Sequence, residues 1–303
     1  MQYARDIRIL GALAASMLSV CVAACGSTGA KGEYILAEKL WHEKSYVAAA
    51  AQFERAFLKD QKGALGRQAL FRAATTQMLF TQKYSAALEL FRKYLEVDPT
   101  GHAARDAEIQ IGEILFQKTR QYDLAIQHYR KWLRERPGDP LNPEFLFRIG
   151  RAQFYLWQFE DAIQTFENVG LQAPQSDWVA EALYQGGMAH LALAGQSQDA
   201  PGRGASEDPE DQDRPGAMGQ KERYQQAMKA FEATTERFPQ SKAALEAKLA
   251  RATVYEELGQ WEEALKELEP LEKRYPVPQV IQIRQTRIRE RLARQNPPLK
   301  RKG

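Results

Sequence analysis

The chain has 303 residues, 27% of them charged and 44% hydrophobic, and its formal net charge is +3. That composition supports a buried core and excludes a wholly disordered chain, and a mean hydropathy of −0.54 excludes a polytopic membrane protein. Two cysteines and four histidines leave no room for a disulfide framework or a Cys/His zinc domain, and so small a net charge does not by itself point to nucleic acid.

The first predicted element is a leader. Arg5 and Arg8 precede an apolar run from Ile9 to Ala24, 16 residues long. A membrane-spanning helix needs about 20. A charged start, a short apolar run and small residues at its end therefore predict a cleaved signal peptide over residues 1–24. The run closes on Val22-Ala23-Ala24-Cys25, which resembles a bacterial lipobox. The resemblance implies that Cys25 is lipidated and begins the mature chain. Cys21 follows the bulky Val20 and does not fit that pattern. Gly26, where an Asp would favour inner-membrane retention, implies the outer membrane, with the chain on the periplasmic side.

An aromatic residue then recurs at Tyr46, Tyr84, Tyr122, Phe159, Tyr224 and Trp261, with spacings of 38, 38, 37, 65 and 37. Three residues after each stands an alanine: 49, 87, 125, 162, 227 and 264. Four further on stands a large apolar residue: Phe53, Phe91, Tyr129, Phe166, Phe231 and Leu268. Proline follows eight residues later in five of the six cases. Helix axes about 8–10 Å apart need a small residue at their contact, and proline cannot continue the helix it follows. Nine residues before the aromatic, a small residue recurs at Ala37, Thr75, Gly150 and Ala252. Repeat three carries Gly112 with one extra residue before Tyr122, and Gly187 fills this position in repeat five.

This pattern resembles the tetratricopeptide repeat, whose second helix reads A-x3-F…P. The resemblance implies an all-α superhelix of about six helical hairpins over residues 25–276, with a capping helix after it. Such hairpins cannot bury their apolar faces singly, so they stack and leave a concave face. The long period and the phrase Phe238-Pro239-Gln240-Ser241-Lys242 resemble lipidated envelope proteins of the BamD type, which serve β-barrel assembly, and the Tol-associated coordinators of cell-wall synthesis. A pilotin-like role in secretin assembly is a further alternative.

Residues 195–219 separate the two helices of repeat five. Their Gly, Pro and acidic content predicts a disordered surface insert, with six acids against two arginines. Residues 277–303 predict a basic capping helix and tail. Ile281, Ile288 and Leu292 form one stripe, and Arg284, Arg287, Arg291 and Arg294 an adjacent one. That arginine stripe is either a solvated face or a contact for an acidic partner or anionic lipid.

No nucleotide-binding loop, nucleophile elbow or H-E-x-x-H motif occurs, and His42, His102, His128 and His190 fall in different repeats. A non-enzymatic protein is therefore expected, with no cofactor, metal, nucleic acid or small-molecule substrate. The repeat resemblance implies a concave face lined by first-helix residues. Carried over, those positions are Tyr34, Glu38 and Trp41; Arg72, Thr76 and Leu79; Phe116; Phe147, Arg151 and Phe154; and Tyr184 and Met188. The aromatics and arginines among them, namely Tyr34, Trp41, Arg72, Phe116, Phe147, Arg151, Phe154 and Tyr184, are the expected contacts for an extended or helical segment of another envelope protein. The same residues could instead pack the next repeat.

Overall fold

The computed structural model describes residues 29–196 and 219–295. Cys25, the basic tail beyond 295 and most of the predicted insert lie outside them. Among the described residues the structure is all α, and it forms two compact units, one reaching to Gln121 and the other starting at Tyr122.

The first unit holds α1 (Ala30–His42), α2 (Tyr46–Lys59), α3 (Ala64–Leu79), α4 (Tyr84–Val97) and α5 (Ala104–Glu113), which runs into a π-helical turn, Ile114–Lys118. The second holds α6 (Tyr122–Glu135), α7 (Asn142–Tyr155), α8 (Phe159–Gln172), α9 (Trp178–Gln196), α10 (Gln220–Arg237), α11 (Lys242–Glu257), α12 (Trp261–Leu268) and α13 (Pro278–Gln295). The boundary falls inside repeat three, between its first and second helices.

In each repeat the second helix places its small and large residues at the same contact. All six recurrent alanines are 0% exposed, and the large residue four positions on is at most 2% exposed. The first helices supply the complementary surface. A Cβ on Gly150 would lie 2.7 Å from the ring of Phe166, and one on Gly187 2.5 Å from the ring of Phe231. Both distances are well inside van der Waals contact, so glycine is what lets the two backbones approach. Ala37 and Ala252 are fully buried at the equivalent positions.

Five hairpins turn through a residue with positive φ, always two positions before the leading aromatic: Lys44, Gln82, Arg120, Trp157 and Gly259. A left-handed residue just past a helix lets the next amide reach back to an orphan carbonyl. The amide of Ser45 bonds to Leu40, that of Gln158 to Gln153 and that of Gln260 to Tyr255, at 2.9, 3.0 and 2.8 Å. Four of the five turn residues carry side chains, so glycine does not mark these turns in the sequence.

Two irregularities have separate causes. The extra residue between Gly112 and Tyr122 is absorbed by the π-helical turn, where the Thr119 amide bonds the Ile114 carbonyl at 2.8 Å across five residues. In repeat five the insert replaces the tight turn. There α9 continues through Gly195 to Gln196, and Gly219 caps α10, its amide donating to Glu222 at 3.1 Å. The predicted insert boundaries are corrected accordingly: Gly195 and Gln196 are helical, so the segment between the helices begins after Gln196. Because α10 starts at Gln220, Tyr224 lies within it and is 5% exposed.

The C-terminal helix α13 seals the last hairpin. Ile281 and Ile288 are fully buried against Ala252, Ala264, Leu268 and Leu271. Two of the four arginines in its predicted stripe are used by the fold. Arg284 meets the Glu256 carboxylate at 2.5 Å and donates to Thr253 Oγ1 at 2.7 Å and the Leu249 carbonyl at 3.4 Å. Arg291 lies over the Trp261 ring at 4.9 Å. Arg287 and Arg294 remain exposed.

Candidate functional site

In the first unit, Tyr34, Trp41 and Arg72 come together. The Arg72 guanidinium lies 5.1 Å from the Trp41 ring and 5.4 Å from the Phe53 ring, and it pairs with Glu38 at 2.8 Å. This arginine already ties repeat two to repeat one. The Tyr34 ring sits edge-on to Phe53 at 5.3 Å, and burial with the adjacent Glu38 carboxylate raises its phenol above the ordinary range. Beside them Phe80, 41% exposed, stacks on Tyr46 at 4.3 Å and meets Trp41 edge-on at 5.4 Å.

In the second unit, Arg151 and Phe154 project from α7. The Arg151 guanidinium lies 5.1 Å from the Tyr155 ring and donates to its hydroxyl. Burial lowers the pKa of Arg151, while Glu181 on α9 and Tyr122 oppose that shift. Tyr155 stacks on Tyr122 at 4.9 Å, and Phe154 meets Phe159 at 5.0 Å. Trp157, 71% exposed, extends this aromatic surface and approaches Phe159 at 5.8 Å. A cleft of about 770 Å³ opens between the α7–α8 turn and the end of α9, lined by Phe154, Tyr155, Trp157, Phe159, Ala192 and Gly195. Tyr184 is partly buried on α9, 6.0 Å from Phe231. Burial, followed by Glu246, Tyr275 and Glu181, pushes its phenol up to about 12.

The expectation that Phe116 and Phe147 line a groove is corrected. Phe116 is 9% exposed, in the π-helical turn. Phe147 is 5% exposed and packs on Phe166 and Trp178 at 5.8 and 5.0 Å. Both side chains are buried, and the Phe147 ring fills the stack, because aromatic area there is worth more buried between helices than left to solvent. Three exposed aromatics escaped the sequence reading: Phe80, Tyr155 and Trp157. A signal for the first two was present, since both stand four residues before the leading aromatic of their repeats. Trp157 is hidden by its role as the left-handed turn residue.

The described residues contain no cluster of three or more His, Cys, Asp or Glu side chains that could hold a metal, and no helix long and apolar enough to cross a membrane. Paired acids sit in ordinary structural positions. Glu160 and Asp161 open α8, Glu262 and Glu263 open α12, and Glu256 binds Arg284.

Family models described as tetratricopeptide repeat match residues 79–140, 144–176 and 220–285. Among solved structures, a tetratricopeptide repeat protein from Parabacteroides merdae is 14% identical with a TM-score of 0.49, and 88% of each chain is covered. PilW, a type IV pilus biogenesis factor, is 17% identical with a TM-score of 0.49, covering 85% of this chain and 99% of that one. A chain of the Naa15/Naa10 complex bound to HypK is 15% identical with a TM-score of 0.52; 89% of this chain is covered but only 37% of that one. At such identities the likeness is one of fold. No curated protein sequence matches the chain.

Proposed function

Because this chain belongs to the tetratricopeptide-repeat family, whose members are scaffolds that bind peptides and proteins, we propose that it is a lipid-anchored scaffold on the periplasmic side of the outer membrane. It serves envelope assembly there, within the machinery that assembles β-barrel proteins. The lipobox ending at Cys25 supports the address. The observation that carries the binding role is the half-buried Arg151 guanidinium over Tyr155, flanked by Phe154, Trp157 and the acidic Glu181. Desolvated arginine and large aromatics dominate interface energies because they bury much area and keep one directed polar group. An extended or helical segment with an apolar side chain for the cleft and a carboxylate for Arg151 fits this surface.

The test places a photo-crosslinking amino acid at Tyr155 in intact cells and identifies the adducts by mass spectrometry. Adducts with a β-barrel assembly component are expected. Adducts confined to Tol proteins, peptidoglycan synthases or a secretin would reassign the machine. Fractionation of Cys25→Ala tests the anchor separately: release from the outer membrane is expected, and wild-type fractionation would refute lipidation.

A further inference from the structure

We infer that the outward face of the first helix, built from Lys31, Ile35, Leu36 and Lys39, rests on the bilayer surface. The inference builds on the proposed lipidation of Cys25 and goes beyond it, from an attachment point to a docked orientation of the first repeat.

The first observation is tether length. Only Gly26, Ser27, Thr28 and Gly29 separate Cys25 from Ala30, the first residue of α1. Five fully extended steps span at most about 18 Å, at roughly 3.3–3.6 Å per residue. A helix with its side chains is about 10–12 Å across. A lipidated Cys25 therefore holds the start of α1 within about two helix diameters of the headgroups, whatever path the tether takes.

The second observation is the chemistry of the helix face. Ile35 is 59% and Leu36 41% exposed, although both lie mid-helix in a packed hairpin. Their position explains why. In repeat four the residue equivalent to Ile35 is Arg148, which donates to the Tyr129 hydroxyl of the preceding repeat at 3.2 Å. Ile35 opens the first repeat and has no preceding second helix among the described residues. Lys31, Ile35 and Lys39 follow one another at four-residue intervals and form an exposed stripe.

The third observation is the placement of acids. Glu33 accepts from Lys59 at 2.5 Å, and Glu38 pairs with Arg72 at 2.8 Å. Both carboxylates of the helix body are thus turned into the fold and matched. The outward arc keeps two lysines around two aliphatic side chains, and its one exposed acid is Glu43, past the helix end, whose carboxylate lies 4.0 Å from Lys39 in a solvent-exposed pair of the kind worth little in water. Apolar side chains between lysines suit an interface where headgroups are anionic and the acyl boundary lies just below.

The test uses the lipidated mature chain in vesicles of phosphatidylethanolamine and phosphatidylglycerol. Lipidation consumes the thiol of Cys25, and Cys21 leaves with the leader, so Ile35→Cys introduces the one reactive thiol for an environment-sensitive dye. Leu171→Cys, at a position 77% exposed on α8, is the control. We expect a blue-shifted emission and a several-fold loss of quenching by an aqueous quencher at position 35, absent at 171. The combined charge reversal Lys31→Glu and Lys39→Glu should restore quenching while the chain stays on the vesicles. Equal quenching at both positions, with Cys25 shown by mass spectrometry to be acylated, overturns the docked face and leaves the anchor intact. An unmodified Cys25 overturns both. Protection at position 35 in the vesicle-free Cys25→Ser chain that rises with protein concentration assigns the face to a second copy and likewise overturns the inference.

Discussion

Tyr155 stacks on Tyr122 at 4.9 Å with ring planes 28° apart, and Phe80 stacks on Tyr46 in the same way at 4.3 Å and 22°. In both pairs the end of one first helix covers the leading aromatic of the repeat before it. The pairing leaves Tyr155 partly exposed and fixes the platform on which Arg151 lies. Tyr155→Ala should lower stability by at least about 0.5–1.5 kcal/mol, the worth of an aromatic pair beyond the area it buries, read as a lower urea midpoint. Arg151→Gln should leave that midpoint nearly unchanged and weaken capture of the crosslinked partner by about 1 kcal/mol or more.

Gly187 meets the Phe231 ring so closely that alanine cannot enter without displacing it. Alanine gains about 1 kcal/mol of helix propensity, but overpacking costs about 1–3. Gly187→Ala should therefore destabilise on balance. Adding Phe231→Leu should recover part of the loss, a coupling that denaturant titration of the single and double variants will measure.

The π-helical turn holds one residue more than the other repeats need. Deleting the exposed Gln117 should convert it to regular α-helix, with helical circular dichroism retained and a small change in melting temperature. Deleting Tyr155, at a comparable place in repeat four, leaves eight residues where nine are required, and melting should fall sharply.

Gly259 turns its hairpin at φ 70°, and a Cβ there would meet nothing within 4 Å. The cost of Gly259→Ala is thus backbone strain alone, about 1 kcal/mol. Lys44→Gly, at φ 61° in repeat one, should gain a comparable amount. Opposite shifts in melting temperature for the two variants will check this.

Burial, reinforced by Arg223, lowers the pKa of His190 in the folded chain, with Glu160 opposing. The unfolded chain takes up this proton first as pH falls below about 6.5. The stability contribution is therefore complete above that pH and is lost as pH drops toward the lower folded value. Compared with wild type, His190→Phe should show a shallower loss of urea stability between pH 7 and pH 5.

Much of the architecture follows from the chain read as a string. The alanine, large apolar residue and proline of each second helix recur in phase because they meet the same contact, and a contact that repeats in space repeats in sequence. Gly150 and Gly187 were legible for the same reason, and the resemblance of Val22–Cys25 to a lipobox, on which the proposed anchor rests, needs no fold to be read. What the sequence left open depends on neighbours distant along the chain. Phe147 and Phe154 have the same residue type and occur on one helix, yet only packing against Phe166 and Trp178 buries the first. Arg284 and Arg287 stand in one stripe, but only Arg284 reaches Glu256 on α11, while Arg287 stays exposed. The left-handed turns at Lys44, Gln82, Arg120 and Trp157 carry no glycine, since helix packing on both sides sustains a strain that the local sequence would avoid. Local pattern determined which residues form the seams. Tertiary contact decided which side chains remain at the surface, because exposure is set by what the rest of the chain covers.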